Sequence, residues 1–323
     1  MKVMKITPQG YCHGVVHAIN IVTESAFNNE LPRPIYILGQ IVHNRHITNA
    51  LAELGIETLE ATNATRLELL EKIDHGTVIM TAHGVSPQVI QTATDKGLHV
   101  IDATCSDVTT THKLLAEKIN EGYEFFYIGK KGHPEPEGAT GIHPQKIHLV
   151  ETADDIANIN VTSDKLLITN QTTLSIWDVA KVAKAIQAAY PQAEFIKEIC
   201  NATQVRQEAV AAQAQFTDLI LVVGDPKSNN TNRLAQIAEE SGTPAKRIAD
   251  VSEVDLDWFT EDMIIGVTSG ASTPTQVMMT VFRYLEQLDL NDENTWSVEG
   301  TLPKEKLLPI RKYKDAQAKK DSQ

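Results

Sequence analysis

The chain contains 323 residues with a mass of 35.6 kDa, and 42% of the residues are hydrophobic, 22% charged and 5% aromatic, which excludes a disordered or collagen-like protein. The length suggests about two domains, with a core large enough to need no disulfide. The formal net charge of -13 argues against general binding to nucleic acid or to anionic membranes, because both attract dense positive charge.

The first residues do not read as a signal peptide, because Lys2 and Lys5 interrupt the short apolar stretch. No apolar run reaches the ~18 residues that predict a membrane-spanning helix. The three cysteines, Cys12, Cys105 and Cys200, are an odd number and cannot all pair with one another. The sequence therefore predicts a cytoplasmic protein with reduced thiols.

The first predicted elements are a strand, a cysteine and a helix, at residues 3–6, Cys12 and 14–27. Two more strands follow, and each ends near a polar cluster: residues 35–38 before His43-Asn44, and residues 77–80 before Ala82-His83-Gly84. This segment therefore has a strand-to-helix turn at its cysteine and polar residues beyond two of its strands.

The same order recurs twice more, at intervals of about 95 residues, which is the signature of an internal repeat. The second set comprises residues 99–101, Cys105, 107–120, 124–128 before Gly132-His133-Pro134-Glu135, and 166–168 before Asn170-Gln171-Thr172-Thr173. The third set comprises residues 193–196, Cys200, 202–215, 218–223 before Lys227-Ser228-Asn229-Asn230, and 263–267 before Gly270-Ala271-Ser272.

This repeat changes the expected architecture to three similar α/β units with mainly parallel sheets. We expect the units at residues 14–104, at 105–198, and at 1–13 together with 199–288, followed by a C-terminal segment and charged tail at 289–323. Ligands of open α/β sheets collect at the carboxyl ends of the strands. If the units pack around a pseudo-threefold axis as a trefoil, the cysteines and polar clusters surround one central site.

Each cysteine is predicted at a helix N-terminus, where the helix dipole and the unbonded backbone N–H groups favour the thiolate. Three thiolates suit a zinc ion with one open position, or an iron-sulfur cluster with one iron that no cysteine binds. No pair has the close C-x-x-C spacing of most zinc sites, which favours a cluster without deciding between them.

The polar clusters predict an anion pocket, because His43, His83 and His133 stand at equivalent places beyond strand ends and imidazole donates N–H groups. Ser228-Asn229-Asn230-Thr231 precedes a predicted helix and suits a phosphate site at its N-terminus, or plain N-capping. Ser272 precedes another predicted helix that runs to Leu288, with Pro274 suited to the first helical position.

The stretch from Gly132 to Gly138 is unusual because His133 and Glu135 both precede prolines. Proline disfavours helix at the preceding residue, so we expect both residues to be extended and to face one side of the chain. The imidazole would then bind an anion while the Glu135 carboxyl donates a proton. A rigid surface turn is the alternative.

With these motifs the sequence resembles the 4-hydroxy-3-methylbut-2-enyl diphosphate reductase family, the last enzymes of the methylerythritol phosphate route to isoprenoids. The matching segments run from residue 10 to about 276: GYCHGV, HN at His43, AHGVS, DATCSDV, GHPEPEG, NQTTLS, RQEAV after Cys200, VVGDPKSNNTNRL and TSGASTP. Two residues depart from the family pattern, Gln9 where Arg is common and Asn229 where Ser is common.

The resemblance implies a trefoil around a 4Fe-4S cluster held by Cys12, Cys105 and Cys200, with one open iron. It implies that the substrate, mostly its diphosphate, is surrounded by His43, His83, His133, Thr172, Ser228, Asn229, Asn230 and Ser272. It also implies that Glu135, with Thr172, delivers the proton in a reductive dehydroxylation.

No nicotinamide or flavin fingerprint occurs in the sequence, so the expected electron donor is a small protein of the ferredoxin or flavodoxin type. Two alternatives belong to other classes. One is a zinc hydrolase that acts on a phosphorylated metabolite through a three-cysteine metal site, and the other is a cluster-based sensor that binds a diphosphate.

Overall fold

The computed structural model describes residues 1–61, 64–298 and 302–310, and these form twelve strands and eleven α-helices. The strands are β1 (Lys2–Lys5), β2 (Ile35–Leu38), β3 (Ile56–Leu59), β4 (Thr77–Met80), β5 (His99–Asp102), β6 (Glu124–Ile128), β7 (Ile147–Val150), β8 (Leu166–Asn170), β9 (Glu194–Phe195), β10 (Leu219–Val223), β11 (Ala245–Ile248) and β12 (Ile264–Ser269). The helices are α1 (His13–Phe27), α2 (Arg45–Ala52), α3 (Arg66–Leu70), α4 (Pro87–Asp95), α5 (Ser106–Asn120), α6 (Pro134–Thr140), α7 (Ile176–Ala189), α8 (Asn201–Gln213), α9 (Asn229–Glu240), α10 (Thr275–Gln287) and α11 (Lys304–Leu307).

The strands form three four-stranded sheets in which every pairing is parallel. The strand orders are β3-β2-β4-β5, β7-β6-β8-β9 and β11-β10-β12-β1. The three orders are equivalent, and in the last sheet the N-terminal strand takes the fourth place, with Lys2 beside Ile264. The predicted fold class of three parallel α/β units is therefore confirmed.

The two central strands of each sheet are buried on both faces, as is usual for parallel sheets covered by helices. In β6 and β8 all five residues are buried, and so are all five of β10. Apolar side chains of β6 and β8 pack against α7 on one face, and those of β6 pack against α5 and α6 on the other. Each fully buried Ile, Leu or Phe contributes roughly 1.5–3 kcal/mol, so these strands anchor their loops firmly.

The outer strands β3, β7 and β11 were not anticipated from the sequence. Their sequences, IETL, IHLV and AKRI, mix polar and apolar residues, and each strand is only partly buried. An edge strand needs fewer apolar residues than a central strand, because one of its sides meets solvent. The other edge strands, β1, β5 and β9, are no more buried, but each precedes a cysteine that marks its place in the repeat, whereas β3, β7 and β11 have no such marker.

The described residues divide into two compact units. The first contains Met1–Val15, His43–Ala50, 201–298 and 302–310, and it holds the sheet that includes β1. The second contains Val16–Val42 and the described part of Leu51–Cys200, and it holds the other two sheets. The boundaries expected from the sequence at 14, 105 and 199 stay a prediction, and residues 299–301 and 311–323 of the expected C-terminal segment lie outside the described residues.

Among the described residues, no helix combines the length and the apolar character that crossing a membrane requires.

Candidate active site

All three cysteines lie at the strand-to-helix turns predicted for them. Cys12 and Cys200 directly precede α1 and α8, and Cys105 is the N-cap of α5 with an extended backbone. All three are half-buried thiols. Each thiol therefore lies beside the first backbone N–H groups of a helix, which have no partner within the helix.

Each cysteine is tied by its backbone N–H to the loop after the third strand of a sheet. The N–H groups of Cys12, Cys105 and Cys200 donate to the carbonyl oxygens of Ala271, Ala82 and Thr172, and each bond is 3.1 Å long. These carbonyls belong to the polar clusters that contain Ser272, His83 and Thr172. The repeat seen in the sequence is therefore also a repeat of contacts, and every cysteine has a polar cluster beside it.

Glu135 is the buried carboxyl of the candidate site. Its side chain is 2% exposed, and both carboxyl oxygens bond Thr172. The Thr172 N–H donates to Oε1 at 2.7 Å and the Thr172 hydroxyl donates to Oε2 at 3.1 Å. Burial raises the pKa of Glu135 to about 7 although the two bonds from Thr172 oppose this, and the negative charge of Asp107 adds to the rise. Glu135 can therefore both hold and release a proton near neutral pH.

The backbone of Glu135 differs from the prediction, because this residue lies in the first turn of helix α6 rather than in an extended segment. Proline is tolerated there, since the first N–H groups of a helix have no partner within the helix. Only His133 is extended, as the N-cap, and its Nδ1 accepts the Glu135 N–H at 3.2 Å. The proton of the neutral imidazole therefore resides on Nε2, and that nitrogen is a hydrogen-bond donor.

His83 lies beside His133, with the two ring centroids 5.4 Å apart and the rings nearly perpendicular. Gly138 lets α6 lie close to the residue after His83, because a Cβ at that position would lie 3.2 Å from the Gly84 carbonyl. Nδ1 of His83 and the Thr81 hydroxyl are 3.3 Å apart. The structure thus brings His83, His133, Glu135 and Thr172 into one neighbourhood of the second unit.

The remaining polar candidates belong to the first unit and gather at the start of α9. The Ser228 hydroxyl caps this helix by accepting the Thr231 N–H at 3.2 Å. The Ser272 hydroxyl lies 3.4 Å from that of Ser228 and donates to the His43 carbonyl at 3.0 Å. The structure therefore joins the loops that carry His43, Ser228 and Ser272.

Helix α9 begins at Asn229, three residues earlier than expected, so Asn229 and Asn230 form its first turn. Asn229 is half-buried. Asn230 is 5% exposed, and neither its Oδ1 nor its Nδ2 has a hydrogen-bond partner among the described residues. An amide that is buried without partners costs free energy, and a polar ligand would remove that cost.

Helix α10 begins at Thr275, and Pro274 is its N-cap instead of its first helical residue. The two positions differ by one residue, and both are compatible with proline because neither needs its backbone N–H within the helix. The expected helix end at Leu288 agrees with the C-cap.

The comparisons with known proteins agree with one another. The model of the LytB protein family matches residues 3–286. A 4-hydroxy-3-methylbut-2-enyl diphosphate reductase of Geobacillus sp. (strain WCH70) is 58% identical over 315 residues, which are 97% of this chain and 99% of the relative. The reductase of the same name from Bacillus velezensis is 55% identical over 316 residues, 98% of this chain and 100% of the relative.

Two solved structures are also similar. The E-1-hydroxy-2-methyl-but-2-enyl-4-diphosphate reductase of Plasmodium falciparum superimposes with a TM-score of 0.82 at 32% identity, covering 97% of this chain and 99% of that one. A structure described as (E)-4-hydroxy-3-methyl-but-2-enyl diphosphate reductase, the terminal enzyme of the non-mevalonate pathway, has a TM-score of 0.63 at 31% identity, covering 89% and 100%.

Proposed function

The chain belongs to the LytB protein family, and we propose that it catalyses the reaction named in its relatives, the reduction of 4-hydroxy-3-methylbut-2-enyl diphosphate. The substrate loses its hydroxyl group as water, consumes two electrons and two protons, and yields isopentenyl or dimethylallyl diphosphate. This is the last step of the methylerythritol phosphate route. The observation that carries most weight is the Glu135 carboxyl, because the reaction needs an acid beside the departing oxygen.

We propose that Cys12, Cys105 and Cys200 hold a 4Fe-4S cluster, with one iron that no cysteine binds. The donor set fits the group, because thiolates are the usual ligands of such clusters and all three thiols are half-buried at helix starts. The matched backbone bond of each cysteine supports equivalent roles for the three. When bound, such a cluster supplies electrons singly and a Lewis-acidic iron.

Glu135 protonates the departing hydroxyl so that it leaves as water. A pKa of about 7 suits this step, since a general acid works best when its pKa is near the working pH. Thr172 donates hydrogen bonds to both carboxyl oxygens and so fixes the orientation of the carboxyl group. The surrounding protein excludes water from Glu135, which keeps the proton for the substrate.

Imidazole, hydroxyl and amide groups bind the diphosphate in this proposal. His133 offers its Nε2 proton, and His43 and His83 add further imidazoles. Ser228, Asn229 and Asn230 stand at the N-terminus of a helix of 12 residues, where anions are favoured. Ser272 is the last of these diphosphate-binding residues. In this proposal a protein with a net charge of -13 binds an anion without a cluster of lysines.

The electrons come from a small redox protein of the ferredoxin or flavodoxin type in this proposal, and the three thiols accord with the reducing cytoplasm as its location. Family membership favours the reductase over the two alternatives, a zinc hydrolase and a cluster-based sensor. Those alternatives make different predictions about metal content and turnover.

The test begins with anaerobic purification, followed by analysis of iron, sulfide and zinc. We expect about four irons and four sulfides per chain from the cluster type, and the loss of both in each Cys→Ser variant. Dithionite-driven turnover of 4-hydroxy-3-methylbut-2-enyl diphosphate is then measured by product analysis. A colourless zinc protein would overturn the proposal, and a cluster-loaded protein that binds the diphosphate without converting it would be a sensor instead.

A further inference from the structure

Tyr127 is a buried tyrosine outside the set of candidate site residues. It is the fourth residue of β6 and is 0% exposed. Its side chain belongs to the apolar cluster with Leu115 and Ile119 of α5 and Ala139 of α6. The ring therefore lies on the face of the sheet that α5 and α6 cover.

The first turn of α6 and this ring both lie against Gly129. A Cβ at Gly129 would lie 2.7 Å from Cγ of Pro136 and 3.0 Å from Cε1 of Tyr127. Glycine at 129 thus lets the strand end, the tyrosine and the start of α6 come together. Glu135 is in that turn, directly before Pro136.

The Tyr127 hydroxyl is buried, and the Glu135 carboxyl is one of the negative groups that raise its pKa. Among the described residues this hydroxyl has no hydrogen-bond partner. Leaving a buried donor unbonded is costly, so a small adjustment that closes a bond to this carboxyl is favoured. Burial and the nearby negative charges raise the pKa of Tyr127, so the hydroxyl keeps its proton and remains a donor.

Two carboxylates and one threonine complete the surroundings of the pair. The negative charge of Asp107 in α5 raises the pKa of Glu135, and that of Glu198 raises the pKa of Tyr127. Thr172 donates hydrogen bonds to both oxygens of Glu135. When Glu135 has released its proton, its negative charge is buried near these other negative groups. A third hydrogen-bond donor therefore stabilises the ionised carboxylate much more than the neutral acid.

We propose that Tyr127 is a positioning residue for Glu135, whose hydroxyl donates a hydrogen bond to the carboxylate that remains after Glu135 has delivered its proton. The bond holds the carboxyl in the orientation set by Thr172 and stabilises its ionised form. The inference rests on the proposed role of Glu135 as the acid, and it adds a residue from strand β6 to the group that controls this acid.

The test is Tyr127→Phe, measured in the cluster-loaded enzyme. Removing a donor that favours the anion raises the pKa of Glu135, so the high-pH limb of the kcat profile moves upward by about one unit. KM changes less than twofold, because Tyr127 is not placed on the substrate. Tyr123→Phe is the matched control, since Tyr123 is only half-buried and precedes the same strand, and its profile stays in place.

A second readout does not depend on turnover. The infrared carbonyl band of protonated Glu135, identified by its loss in Glu135→Gln, titrates at higher pH in Tyr127→Phe. Fluorotyrosine at position 127 keeps the ring and strengthens the donor, so it moves the same titration downward. If the infrared titration is unchanged in both proteins, the inference is wrong; an enzyme that shows these shifts but no turnover would contradict only the proposed function.

Discussion

Replacing Glu135 with glutamine tests the buried acid in two independent ways. Folding raises the pKa of this carboxyl from 4.5 to about 7, a change of about 2.5 units. At 1.36 kcal/mol per unit, ionised Glu135 weakens the native state by about 3 kcal/mol. The contribution of protonated Glu135 to the stability of the native state is fully present below the unfolded pKa of 4.5, where both states are protonated. It is lost as the pH rises through the folded pKa of about 7.

Glutamine has no charge to bury, so Glu135→Gln avoids this loss. Its Oε1 can accept the Thr172 N–H as the carboxyl does, and its amide can donate to the Thr172 hydroxyl. We expect the variant to melt at nearly the parent temperature at pH 5 and several degrees above it at pH 8, by anaerobic scanning calorimetry at equal cluster content. The kcat of the variant is roughly 10²- to 10⁴-fold below that of the parent enzyme, which is the usual contribution of a general acid.

Glu137→Gln is the matched control, because Glu137 lies two residues further along α6 and accepts the Arg66 N–H instead of contacting Thr172. It should keep its turnover, and its melting difference from the parent should not grow between pH 5 and pH 8. A Glu135→Gln enzyme with full turnover refutes the role as acid. A stability difference that is the same at both pH values refutes the raised pKa.

The parent enzyme should lose kcat about tenfold per pH unit above pH 7, since only protonated Glu135 donates, as a pH series will show. Thr172→Val removes the donor to Oε2 and should move this limb to higher pH, whereas Thr172→Ser should not. Asn230→Ala should weaken binding of inorganic diphosphate about tenfold or more in calorimetry, yet leave the melting temperature equal or higher, because its amide has no partner among the described residues. Gly270→Ala should lower the melting temperature, since the new Cβ would lie 2.1 Å from Thr231 Oγ1, and Thr231→Ala should restore part of the loss.

The sequence alone was sufficient for the three units, because their inner strands and cysteine-bearing turns depend on local patterns. Buried parallel strands such as β10 are continuous apolar runs, and the helix after each cysteine follows at once. The strands β3, β7 and β11 were missed because they mix polar and apolar residues and, unlike the edge strands β1, β5 and β9, they do not precede a cysteine.

Parts of the candidate site could be found by sequence only in outline. The prolines around Glu135 suggested an extended chain, but the first turn of a helix accepts proline equally well. Tyr127 escaped notice because it sits in the apolar run EFFYI, where only its hydroxyl distinguishes it from a core residue. The packing of Tyr127 against α6 is a tertiary contact, and no local sequence pattern encodes it.

The place of β1 in its sheet sets an order of events during synthesis. Its partner β12 ends at Ser269, so β1 must wait for more than 260 residues before it can pair. Translation at ~5–20 residues per second makes that delay at least ~13 seconds. Cys12 follows β1 and is bound through Ala271, whereas the backbone partners of Cys105 and Cys200 precede them in the chain. The turn of Cys12 is therefore assembled last, because it cannot form before residue Ala271 has been synthesised.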